Sequence, residues 1–112
     1  MLSNNSTIKK LAASVKANPD DSFSKFALAL EFLKRDEVNK ARLFFEDIYQ
    51  KDPGYVGVYY HLGKLYERIG HLGKAEKMYE EGIQIANQQN EKRTLNELEE
   101  ARTMLKLEQE NE

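Results

Sequence analysis

The chain contains only two prolines, Pro19 and Pro53, and they stand 34 residues apart. The same interval carries Leu28 to Leu62, Ala29 to Gly63, Phe32 to Tyr66, Ala41 to Ala75 and Phe45 to Tyr79, each pair matched in size and polarity. Self-similarity at a fixed period of roughly 20 to 50 residues marks units that cannot bury their apolar faces alone and must stack on one another. With 112 residues the chain has room for one small domain holding a few such units.

The spacing inside each unit is helical. Leu28, Ala29 and Phe32 fall at i, i+1 and i+4 on one stripe, as do Leu62, Gly63 and Tyr66. A second stripe follows, Ala41, Phe45 and Ile48 in the first unit and Ala75, Tyr79 and Gly82 in the second, flanked by Lys40, Arg42, Lys74, Glu76 and Lys77 as a solvated surface. Turns separate the stripes. Gly70 suits the left-handed conformation that ends a helix, and Asp36 is expected to accept from the free amides of the helix that follows. Paired helices approach within roughly 8–10 Å only where a side chain at the crossing is nearly absent, a role that falls to Ala29, Ala41, Gly63, Ala75 and Gly82.

These residues carry a family resemblance. Tyr59-x2-Leu62-Gly63-x2-Tyr66 followed by Ala75-x3-Tyr79, and Leu28-Ala29-x2-Phe32 followed by Ala41-x3-Phe45 and Pro53, resemble the tetratricopeptide repeat over about residues 22 to 89. Lys25 and Asn87 depart from the pattern, standing where a large aromatic and a second closing proline are preferred. The chain is also similar to short, stand-alone bacterial tetratricopeptide proteins. The expected fold is all-α, a superhelix of helix-turn-helix repeats at 22–55 and 56–89 in one domain spanning 1–112.

Flanking segments complete this plan. Shifting the period backwards makes 6–17 the second helix of a truncated repeat, capped by Asn5 or Ser6 and packing through Ile8, Leu11, Ala12 and Val15. Shifting it forwards places polar Asn96, Glu97 and Glu100 where the motif needs apolar or small residues. A narrower stripe of Leu95, Leu98, Ala101, Arg102 and Leu105 predicts instead a C-terminal capping helix over 91–108, with a frayed tail after it.

Composition and motifs narrow the function classes. Seventeen basic against nineteen acidic side chains argue against nucleic-acid binding by phosphate neutralisation. No apolar run is long enough to span a membrane, and the polar first ten residues do not read as a secretory signal, so a cytoplasmic location is expected. The chain has no cysteine, its serines lack a glycine-bounded elbow, and its glycines form no phosphate cradle. His61 and His71 lack a ligand spacing for a metal. The reading is a non-enzyme with no cofactor and no metal.

In the resembled family the first helices of successive repeats line a concave groove that receives peptides. Carried over position by position, that groove comprises Phe23, Phe26, Leu30, Leu33 and Lys34, then Tyr60, His61, Lys64, Glu67 and Arg68. A large apolar anchor with neighbouring acidic groups would suit Phe26, Leu30 and Tyr60 beside Lys64 and Arg68. The family's clamp for acidic chaperone tails is not expected, because its Lys and Asn positions hold Phe26, Leu30 and His61 here. Two alternatives stay open: a homo-oligomer that pairs its apolar inner face with itself, and a scaffold subunit held through its helical ends.

Overall fold

A computed structural model describes the backbone of residues 2–111 and the side chains of residues 6–111. Six helices and no strand occur among the described residues: α1 (Leu2–Ala17), α2 (Ser22–Lys34), α3 (Val38–Lys51), α4 (Gly57–Arg68), α5 (Leu72–Gln88) and α6 (Lys92–Glu110). The chain divides into two compact units, Met1–Tyr55 and Val56–Glu112.

In the first unit α2 packs against α3, and α1 against α2. The motif residues Leu28, Ala29, Ala41, Phe45 and Ile48 are its buried core. Phe26 closes the edge of that core, its ring lying 5.7 Å from Phe45 and 5.3 Å from Tyr55. Lys25, a departure from the repeat pattern, is buried with its ammonium 2.8 Å from the Asp47 carboxylate on α3. The ion pair takes the place of an aromatic contact between the two helices. That ammonium is the main cause holding the Asp47 carboxyl below its ordinary range, helped by Lys51 and opposed by partial burial. Asp21 caps α2, accepting from the Phe23 amide at 3.2 Å and from the Ser24 hydroxyl at 2.6 Å.

The second unit holds α4, α5 and α6, each in contact with the other two. Val58, Tyr59, Leu62, Leu65 and Tyr66 of α4 meet Ala75, Met78, Tyr79 and Ala86 of α5, and Leu98, Ala101 and Leu105 of α6 complete the core. The glycine crossings are real close approaches. A Cβ at Gly63 would fall within 2.7 Å of two ring carbons of Tyr79 and closer still to a third, and one at Gly82 would meet Tyr59 Cβ at 2.5 Å and Leu98 Cδ1 at 3.0 Å. The Tyr79 hydroxyl donates to the Glu67 carboxylate across the α4–α5 contact. Burial and that carboxylate raise the phenol far above its usual range, so it stays a neutral donor.

Three helices end in one way. Asp36, Gly70 and Asn90 adopt φ of 61°, 86° and 59°. At each, the amide of the next residue reaches back to the carbonyl five residues earlier: Glu37 to Phe32, His71 to Tyr66 and Glu91 to Ala86, at 2.9, 2.8 and 2.9 Å. This is the Schellman arrangement.

Local expectations are corrected accordingly. Asp36 terminates α2 rather than capping α3, which starts after Glu37 without a side-chain cap. Asn5 and Ser6 are interior to α1 rather than its cap, because the helix begins at Leu2. Ala12 faces solvent, while Ile8, Leu11 and Val15 are half-buried. Helix α6 continues through Glu108 to Glu110, so the tail expected to fray from Glu108 stays helical for its first residues.

Candidate functional site

Helix α4 carries two kinds of side chain. The motif residues point into the core of the second unit, and the positions between them supply a separate face. Tyr60 is half-buried and Lys64 exposed on that face, one helical turn apart. Helix α6 lies alongside and contributes Glu97, Glu100, Ala101 and Met104 at the i, i+3, i+4, i+7 spacing of one helix face. Together these six residues line an open cavity of about 160 Å³. Its apolar surface comes from Tyr60, Ala101 and Met104, and its charged rim from Lys64, Glu97 and Glu100. Met104 is 50% exposed and Leu107, one turn further along α6, is 48% exposed, so apolar surface continues past the cavity mouth.

The charges here are unevenly committed. Lys64 lies 4.0 Å from Glu67, whose carboxylate also accepts the Tyr79 hydroxyl. Glu97 and Glu100 are exposed and make no ion pair among the described residues. His61 is half-buried with its ring 5.6 Å from that of Tyr60. Burial lowers its pKa against the opposing pull of the Glu97 charge, which keeps the imidazole neutral near pH 7.

The remaining residues expected in the groove are distributed as follows. Tyr60 and Lys64 come together at the cavity, with His61 beside Tyr60. Glu67 is turned to the α4–α5 contact, and Arg68 is exposed at the end of α4. On α2, Phe23 is 69% exposed, whereas Phe26, Leu30 and Leu33 are half-buried. Lys34 is exposed and pairs with Glu31 at 3.1 Å. Phe26 packs its ring against Phe45 and Tyr55 within the first unit. Sequence reasoning missed the α6 contribution. The signal was present, since Glu97, Glu100, Ala101 and Met104 share a face that borders the Leu98, Ala101 and Leu105 stripe.

Comparison with known proteins settles the family. A tetratricopeptide-repeat family model matches residues 25–95. The chain belongs to the tetratricopeptide-repeat family. A tetratricopeptide-repeat domain protein from Salinibacter ruber is 42% identical in its crystal structure, with 77% of this chain and 96% of that one covered at a TM-score of 0.75. The solution structure of a Salinibacter ruber tetratricopeptide-repeat domain protein agrees, with 42% identity, coverages of 79% and 89% and a TM-score of 0.74. A Bordetella parapertussis protein at 21% identity shares the fold, covering 90% of this chain and 88% of its own at a TM-score of 0.76. No curated protein matches the chain.

Tetratricopeptide-repeat proteins are in general protein–protein interaction modules without catalytic activity. Among the described residues no group of three or more His, Asp or Glu is placed to hold a metal ion, and no helix is long and apolar enough to cross a membrane.

Proposed function

We propose that this tetratricopeptide protein is a non-catalytic cytoplasmic module that binds a peptide segment of another protein through the first-helix faces of its repeats. In the second unit that face is the cavity between α4 and α6; in the first it is the surface of α2 around Phe23. The observation that carries the reading is the cavity itself. Tyr60, Ala101 and Met104 form an apolar recess beside charged groups, and the crossings of the fold, which are made by Gly63, Ala75 and Gly82, do not require Met104 to lie half in water. A side chain of a docked segment would fill the recess, with Met104 adapting its unbranched chain to it.

Panning random peptides displayed on phage against the whole chain tests this. Peptides enriched on the native protein should be lost on Met104→Ser for the second unit or Phe23→Ser for the first. Both side chains are exposed, so melting should not change. Equal enrichment on both variants contradicts the site.

Self-association is the second reading, favoured by the exposure of four large apolar side chains, Phe23, Leu43, Met104 and Leu107. Light scattering across a concentration series separates the two, since a peptide-binding monomer keeps a constant mass.

A further inference from the structure

We infer that the segment received between α4 and α6 is basic: an arginine or lysine side chain next to a large apolar one. This rests on the peptide-binding reading and reverses the charge expected from α4 alone. Lys64 and Arg68, taken by themselves, suit an acidic ligand. The fold sets α6 against them and changes the balance.

Among the described residues Lys64 is the cation lining the cavity, and Glu67 lies 4.0 Å from it on the same helix. Glu97 and Glu100 line the cavity from α6 and, among the described residues, make no ion pair of their own. Glu108, two turns beyond Ala101 on the same helix, lies close enough for its charge to bear on the Tyr79 phenol, as does that of Glu67. The lining itself thus carries two carboxylates against one cation, and among the described residues neither carboxylate makes an ion pair, although the Glu97 charge also bears on the neighbouring His61 ring. An arriving carboxylate would meet Glu97 and Glu100. An arriving guanidinium or ammonium would pair with them at the rim, and a neighbouring apolar side chain would occupy the recess among Tyr60, Ala101 and Met104. The Tyr60 ring adds an aromatic surface that suits the same cation. The excess of lining carboxylate sets the sign of the ligand, and the apolar lining sets its neighbour.

The test uses two fluorescein-labelled dodecapeptides of alternating residues, leucine with arginine and leucine with glutamate, and anisotropy against the whole chain. The arginine peptide should bind about tenfold more tightly than its glutamate twin, the effect of two rim carboxylates each of modest strength. In the Glu97→Gln, Glu100→Gln double variant that ratio should fall to about twofold, while Met104→Ser should weaken the arginine peptide on either background. Equal or tighter binding of the glutamate peptide overturns the basic-ligand inference; the groove reading then stands if Met104→Ser still weakens it. A preference for arginine that survives the double variant also overturns the inference, placing its origin elsewhere. Binding of the arginine peptide untouched by Met104→Ser overturns the groove reading as well, and failure of both peptides to bind overturns the inference.

Discussion

Replacing Gly63 by alanine adds one carbon at the tightest crossing in the second unit. Two opposing terms decide the sign. In a helix interior alanine is favoured over glycine by about 1 kcal/mol. Against it stands the ring of Tyr79, two of whose carbons lie 2.7 Å from the new Cβ and a third nearer. The ring cannot swing aside, because it is fully buried and its hydroxyl is tied to Glu67 on the same helix as Gly63. Overpacking of a rigid core costs about 1–3 kcal/mol, and with no room to relax the upper part of that range applies. The expected net loss is about 1–2 kcal/mol, or about 4–8 °C in melting temperature for a chain of this size. Gly73→Ala is the internal control. It lies in the first turn of α5 with nothing within 4 Å of its Cβ position, so the same added carbon should leave stability unchanged or raise it by up to about 1 kcal/mol. Urea titrations followed by helical circular dichroism measure both midpoints. A Gly63→Ala midpoint equal to or above that of the native chain refutes the claim that glycine is required there by the Tyr79 contact.

Other substitutions probe the remaining devices of the fold. Asp47→Ala leaves the buried Lys25 ammonium without its acceptor and should cost about 2 kcal/mol or more, whereas Lys25→Met, which replaces the pair by apolar volume, should cost less; equal losses contradict the pairing. Because the Asp47 carboxyl is held below its ordinary value of 3.8, its contribution is complete above that pH and disappears as pH falls through the lowered folded value, so Asp47→Asn should flatten the acid limb of a stability–pH curve. Asn90→Gly relieves a left-handed residue at the end of α5 and should raise the midpoint by about 0.5–1 kcal/mol, while a lower midpoint means the asparagine side chain is needed there. A chain ending at Asn90 loses α6, exposing Gly82, Met78 and the faces that Leu98, Ala101 and Leu105 cover; it should aggregate or melt far lower, and an equally stable monomer contradicts the capping role.

The parts of this molecule that repeat were legible in the sequence. Ala29, Ala41, Gly63, Ala75 and Gly82 mark helix crossings because close approach leaves no other choice of residue, and two copies of the pattern confirm each other. Single, unrepeated features were harder to read. Asp36 has the chemistry of both a cap and a left-handed terminator, and only its alignment with Gly70, one period later, distinguishes the roles. Lys25 looked like a defect until Asp47, on the facing helix, supplied its partner. The cavity was half visible. Tyr60 and Lys64 follow from repeat register, but Glu97, Glu100 and Met104 lie on a helix whose sequence abandons the repeat motif, and its face toward α4 is set by packing rather than period. The carboxylates that α6 adds beside Lys64 were not read for that reason.

On the proposed reading, α4 and α6 together form the peptide-binding surface of the second unit. The most direct measurement is a titration of the ¹⁵N-labelled chain with the peptide most enriched in panning, followed residue by residue in amide spectra. The largest shifts should cluster at Tyr60, Lys64, Glu97, Glu100, Ala101 and Met104, with α5 residues such as Lys77, Glu80 and Gln84, on its solvent-exposed side, unmoved. Shifts centred on Lys77, Glu80 and Gln84, with Tyr60 and Met104 silent, would contradict it.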